Sequence, residues 1–268
     1  MSAPAIALGA TRMPPGQALR VVLALIRRGL NELLRVPGAA IPGVLAPTIF
    51  VVGLSGVFGA VTRIGGFDTD EYMTFIIAVG MLQGAGFTGA ATGVNLARDI
   101  EQGWFDRLLL APVPRSVLLA GVVLSASVRA MIPATFLLTV GLLLGVPFPG
   151  VPALLIAAVL LGGFAATAAC WGTTIALRFR TQQAAPLIQA GTFATVLFTT
   201  AYAPATLLAG WMATITEINP VTRILEGVRQ GFVGGVNWAD TWQAVAALVL
   251  VLLVFGALAV RSLRRADA

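Results

Sequence analysis

Long apolar runs separated by short polar stretches organise this chain. Six such runs, at about residues 41–61, 72–96, 117–145, 151–177, 184–209 and 241–260, carry at most a single charge each. Each is close to the ~20 residues that cross a hydrocarbon core of about 30 Å. None alternates apolar and polar residues as a barrel strand must, so the pattern predicts six helices whose backbone groups are satisfied internally. Ahead of them, from Gln17 to Val36, Leu19, Val22, Leu23, Ile26, Leu30, Leu33 and Leu34 recur at helical spacing. Arg20, Arg27, Arg28, Asn31 and Arg35 fall on the opposite side. This predicts an amphipathic helix lying in the membrane interface with a basic face, the other reading being a helix packed on a soluble partner. Residues 1–16, too short and too broken by Pro and Gly for a signal peptide, read as a flexible tail. The expectation is an all-α polytopic membrane protein with a single transmembrane domain over residues 17–268.

Charge adds orientation. Of the 17 arginines, thirteen (Arg12, Arg20, Arg27, Arg28, Arg35, Arg98, Arg107, Arg115, Arg178, Arg180, Arg261, Arg264 and Arg265) fall on one side of the six predicted spans. Arg63, Arg223 and Arg229 fall on the other, with Asp68, Asp70, Glu71, Glu217, Glu226 and Asp240. The positive-inside rule then puts both termini in the cytoplasm and the protein in the cell membrane. With 58% hydrophobic and 10% charged residues and a mean hydropathy of +0.92, the bilayer is the solvent, and the net charge of +6 orients the chain rather than binding nucleic acid.

The missing residue types narrow the chemistry. There is no His and no Lys, and Cys170 is the only cysteine. A Ser-His-Asp triad, a His-based metal site, a lysine Schiff base and an intrachain disulfide are all excluded. So is a P-loop, which needs a Lys on the phosphates. Gly84-Ala-Gly86-Phe-Thr-Gly89 spells the dinucleotide fingerprint but lies inside a predicted span with no strand before it. Gly80 with Gly84, and Gly89 with Gly93, read instead as small pairs that let helices approach closely.

Between the second and third runs stands Asp99-Ile-Glu-Gln-Gly-Trp-Phe-Asp-Arg-Leu-Leu-Leu-Ala-Pro-Val-Pro-Arg-Ser116, which holds three of the eleven acids. Wound as a helix, Ile100, Trp104 and Leu108 form an apolar stripe with Phe105 beside it, opposite Arg98, Asp99, Gln102, Gly103 and Asp106. Glu101 and Arg107 flank the stripe, Gly103 leaves room for close backbone approach, and Pro112 and Pro114 end the helix. Spacing alone also fits a solvated loop with membrane-facing aromatics.

This segment resembles the E-x-G-(x)3-R-L-(x)3-P-x-x-R motif of ABC type-2 exporter permeases, particularly the daunorubicin/doxorubicin-resistance-like branch. Asn219-Pro220, followed by Glu226 and Arg229, is similar to the Asn-Pro segment that this family places before its last span. The resemblance implies that residues 98–110, with Arg98, Asp99, Glu101, Gly103, Trp104, Asp106 and Arg107, form a coupling helix for a separate ATP-binding cassette subunit. ATP and Mg would be bound by that partner and no cofactor by this chain. It implies that two permeases, identical or homologous, pair around the export path, and that a re-entrant segment carrying Asn219, Pro220, Glu226 and Arg229 precedes the last span.

Two positions have a local logic of their own. Asn219 is a good N-cap and Pro220 suits the first helical position, so a short helix from about 220 to 231 is expected, ending near Gly231. Glu226 would pair with Arg223 or Arg229. Arg129 sits in the third run, where an Arg costs at least ~2.5–3.5 kcal/mol, and no other run offers an acid at that depth. A water-filled cleft, carbonyls loosened by Pro133, a lipid phosphate or an anionic substrate group would solvate it, which makes it either a structural tie or a transport-path residue. The reading is a permease subunit exporting a lipophilic drug, polyketide or lipid. An ATP-independent secondary transporter would show coupling acids at the midplane, and an intramembrane enzyme would show clustered ionisable groups; neither is seen.

Overall fold

The structure, a computed structural model, describes residues 13–35, 41–105 and 113–265, and every regular element among them is helical. In chain order these are α1 (Pro15–Arg35), α2 (Ile41–Phe58), α3 (Tyr72–Glu101), α4 (Arg115–Leu143), α5 (Val151–Phe179), α6 (Ala185–Leu197), α7 (Gly210–Ile218), α8 (Pro220–Val233) and α9 (Trp238–Arg265). Helices α3, α4, α5 and α9 are long and apolar enough to cross a membrane, while the apolar stretch of α2, Gly43–Phe58, is shorter.

The bundle is built around α3, the most buried of the long helices. Its glycines explain why. A Cβ at Gly80 would strike Val51 of α2, one at Gly84 would lie 2.9 Å from the Gly43 carbonyl and 3.1 Å from Pro133 of α4, and one at Gly93 would fall on the backbone of Gly172 in α5. Gly86 takes Phe164 and Thr192, and Gly89 takes Ala165 and Ala168. The letters that spell a nucleotide fingerprint thus form a groove into which α5 is pressed. Without a hydrophobic drive between helices in lipid, such close van der Waals approach is a main source of cohesion. The outward face of α9 is the converse case, with Leu250, Leu253 and Val254 about half exposed or more, as a lipid-facing surface requires.

Three predicted boundaries shift. The run at 184–209 is not one helix: α6 stops at Leu197, and residues 198–209 form bends and a short 3₁₀ turn, Ala205–Leu207. Hydropathy registers composition, whereas the helix ends because other groups take its last carbonyls, as described below. The run at 41–61 ends at Phe58 and is followed by a 3₁₀ turn, Val61–Ile64. The predicted helix ending near Gly231 continues to Val233, because Gly231 is an interior contact whose missing Cβ makes room for Ala153 of α5.

Phe105, Leu177 and Leu263 pack with Leu96, Ile100 and Leu119, so the C-terminal ends of α3, α5 and α9 and the start of α4 lie at one end of the bundle. Arg98, Arg115, Arg178, Arg180, Arg261, Arg264 and Arg265 cluster around that end in sequence.

The α3–α5 groove predicts that Gly93→Val destabilises the detergent-solubilised protein by about 1–3 kcal/mol or more through overpacking. Gly53→Ala on α2, where an added methyl meets nothing within 4 Å, should leave the thermal midpoint unchanged. Equal midpoints for the two variants would contradict the packing described.

Candidate functional site

Three constellations carry the polar chemistry. The first is the end of α3. This helix does not give way to a separate amphipathic helix at residue 98, but runs on to Glu101. It then turns through Gln102 and Gly103, whose amides bond to the carbonyls of Arg98 and Ile100 at 3.0 and 3.1 Å. Gly103 has φ +71° and open space where a Cβ would be. It makes a left-handed turn that glycine adopts without strain. Helix resumes at Trp104 and Phe105. The turn breaks the expected Ile100–Trp104 stripe: Phe105 enters the apolar cluster at 7% exposure while Trp104 is 58% exposed. Asp106, Arg107 and Leu108 lie outside the described residues.

Neighbouring elements fix this end. Thr181, just beyond α5, donates to Glu101 Oε1 at 2.8 Å. Arg28 of α1 reaches Asp99 at 3.5 Å, a largely exposed pair worth less than about 1 kcal/mol that sets position more than stability. Arg98 is exposed. Arg28 was already placed on the basic face of α1 by its spacing, whereas Thr181 did not stand out, because a loop threonine has no spacing signature.

The second constellation surrounds Arg129, which is 6% exposed. Its guanidinium donates to Thr92 Oγ1 at 2.5 Å and to the Ser125 carbonyl at 3.4 Å. It borders a cleft of about 90 Å³ between α1, α3 and α4 that Asn95, Asp99, Glu32 and Arg28 also line. Thr92 and Ser125 supply its hydrogen bonds from the runs themselves, and Glu32 and Arg28 of α1 add charged groups, since α1 packs on α4 with Gly29 against Ser125 and Leu25 against Gly121. Helix α1 is thus part of the bundle along α4, while Leu19 and Leu23 on its other side remain more than half exposed.

The third lies at the opposite end. Asn219 caps α8, its Oδ1 accepting from the Val221 amide at 3.0 Å, with Pro220 in the first turn. Its Nδ2 donates to the carbonyls of Thr195 and Phe198 at 2.8 and 2.7 Å, closing the C-terminal end of α6. Arg229 is 7% exposed and forms no ion pair with an acid among the described residues; Glu226 pairs with Arg223 at 3.1 Å. The Arg229 guanidinium donates to the carbonyls of Phe75, Thr200 and Ala201 at 3.1, 2.8 and 3.3 Å and lies 3.8 Å over the Phe75 ring. Alongside, Tyr72 donates to the Tyr202 carbonyl and Gln83 to the Tyr202 hydroxyl, at 2.9 and 3.0 Å. The first two constellations meet at the cleft that Arg28 and Asp99 line. Among the described residues no group of three or more Cys, Asp or Glu side chains could hold a metal.

If Asn219 holds both helix ends, Asn219→Asp keeps the cap acceptor but sets a carboxylate against two carbonyls. We expect a loss of about 2 kcal/mol, a fall of roughly 4–8 °C in the thermal midpoint. A midpoint equal to that of the parent protein would dismiss the clamp on α6.

The ABC-2 type transporter family model matches residues 20–233. The daunorubicin resistance ABC transporter permease protein DrrB1 of Streptomyces coeruleorubidus is 26% identical over 263 residues, covering 94% of this chain and 88% of that protein. A Mycobacterium tuberculosis protein named "Probable doxorubicin resistance ABC transporter permease protein DrrC" is 27% identical over 248 residues, covering 86% and 85%.

Proposed function

Because the chain belongs to the ABC-2 type transporter family, we propose that it is the six-span permease subunit of an ATP-driven exporter for lipophilic molecules. In this reading α2 and the shorter α6 complete the six spans, and α7 and α8 form a re-entrant pair on the outer side. A non-helical stretch at membrane depth is tolerated where protein groups satisfy its backbone, as Asn219 and Arg229 do for residues 195–201. Both termini and residues 98–105 face the cytoplasm, in line with the arginine bias.

The observation that carries the reading is the position of the motif. Asp99, Glu101, Gly103 and Trp104 sit at the tip of α3, the helix against which α2, α4, α5 and α6 all pack. A displacement imposed there by an ATP-binding subunit passes into the centre of the bundle without a soft loop between. Exposed Trp104 supplies an apolar contact and Arg98 a charge for that partner. Hydrolysis belongs to the partner, since this chain has no Lys for a phosphate loop. A second permease chain would complete the pathway.

A lipophilic cargo suits the interior. Phe50 of α2, Phe87 of α3 and Phe193 of α6 form a ladder of rings with centroids 6.4 Å apart. The same surface offers an ion or a sugar few polar partners. The daunorubicin and doxorubicin named for the relatives are amphipathic ring systems that such a surface would accept.

Copurification of the full-length chain from native membranes tests the coupling. A P-loop ATPase should come with it, and Glu101→Ala should lower ATPase recovery or stimulated hydrolysis several-fold while membrane insertion is unchanged. A solitary chain that transports unaided would replace this reading with a secondary transporter.

Arg129 is read here as a tie between α3 and α4 rather than a cargo contact, on the strength of its bonds to Thr92 and Ser125. Arg129→Leu should then lower the yield of assembled complex yet leave the ratio of ATPase stimulation by a matched anionic and neutral substrate pair unchanged. Selective loss of the anionic response would put Arg129 in the pathway.

A further inference from the structure

A cavity of about 190 Å³ lies between α5, α6, α8 and α9, adjoining the Asn219 clamp through Thr195 and Val221. Phe164, Thr167, Trp171, Thr192, Thr195 and Phe255 form most of its wall. Trp171 and Phe255 meet edge to face with centroids 5.9 Å apart, and Gly191 lets the indole lie against α6, since a Cβ there would sit 2.9 Å from the ring.

The wall includes hydroxyls and an indole N–H, yet each has spent its proton within the protein. Thr167 donates to Gly163 O at 3.0 Å, Thr192 to Ile188 O at 3.0 Å, Thr195 to Thr192 O at 2.8 Å and Trp171 to Ile188 O at 3.3 Å. A polar ligand entering would lose its water and find no donor, which costs several kcal/mol for each unmatched group. Hydrocarbon loses nothing. A dry apolar cavity of ~150 Å³ in a soluble protein takes up benzene, so this volume suffices for a short run of methylenes.

Depth selects the occupant. On α5 the lining residues 164–171 straddle the middle of Val151–Phe179, and on α9 Val251 and Phe255 straddle the middle of Trp238–Arg265. At about 1.5 Å per residue, these positions lie some 12–20 Å from the nearer end of their helices. That level of a bilayer holds the distal part of acyl chains and no headgroups. The neighbouring surface of α9, with Leu250, Leu253 and Val254 exposed, is already lipid-facing.

We propose that this crevice is a binding site for the distal segment of a membrane phospholipid acyl chain, seated between Trp171, Phe255 and the threonines of α6. The chain wedges where the short α6, the capped α8 and the last long helix meet. The site rests on the membrane setting of α5 and α9 and not on coupling to an ATPase, so it stands or falls separately from the exporter reading.

The test uses the full-length protein reconstituted in phosphatidylcholine vesicles without ATP. A trace phosphatidylcholine carries a photoactivatable diazirine near the end of one acyl chain. After irradiation, Phe164, Trp171, Val251 and Phe255 should carry several-fold more label than the exposed α9 positions 249, 250 and 253. A probe with the diazirine at the headgroup should not label them. Thr195→Phe, which fills the mouth from a position that is not a core contact, should cut that labelling at least fivefold. Label spread evenly over the α9 surface in the parent protein would overturn the site. So would crosslinking of these segments to a second permease chain in place of lipid, which would make the crevice a protein interface.

Discussion

A polypeptide in hydrocarbon must find an internal partner for every backbone carbonyl, and this fold departs from continuous helix where side chains meet that demand. Four carbonyls beyond or at the end of α6, those of Thr195, Phe198, Thr200 and Ala201, are held by two side chains, Asn219 and Arg229. Hydrogen bonds from a charged donor are worth about 1.5–3 kcal/mol each, and the guanidinium fork delivers several in fixed geometry. Remove this pair and a dozen residues of bent chain would have no reason to exist at that depth. The position of α8, the end of α6 and the attachment of both to Phe75 on α3 all follow from it.

Much of the architecture was legible because it depends on quantities that sequence displays directly. Run length and absence of charge marked the four long apolar helices α3, α4, α5 and α9. The spacing of Gly80, Gly84, Gly89 and Gly93 marked α3 as a close-packing helix. Asn219-Pro220 marked a helix start because the cap and the preset φ act locally. What was not legible depended on partners far away in the chain. Arg229 looked like an outer-surface charge beside Glu226, because nothing in its neighbourhood shows that its partners are carbonyls about 30 and 154 positions distant. The end of α6 was invisible for the same reason: apolar residues 198–209 read the same whether wound or bent.

The motif segment illustrates a subtler limit. Its residues were identifiable, but the stripe drawn through Ile100 and Trp104 assumed an unbroken helix. Gly103 was read by its size alone, and its left-handed φ adds a conformational reason for glycine there. A left-handed turn rotates everything after it, so Phe105 rather than Trp104 enters the apolar cluster with Leu177 and Leu263. Arg129 shows the reverse. The search for a counter-charge was confined to the spanning runs, while the acid that borders its cleft, Glu32, stands on α1, a helix assigned to the interface.

The contact between Gly93 and Gly172 has a mechanical meaning. Where two backbones touch with no side chain between them, there is little compressible material to absorb a relative shift, and an interface of this kind moves as a block or not at all. Glu101 and Thr181 bond at the ends of the same two helices. Helices α3 and α5 therefore form one stiff beam, whereas the seam with α6, where Trp171 lies against Gly191 and Phe164 and Thr192 meet at Gly86, is filled by side chains.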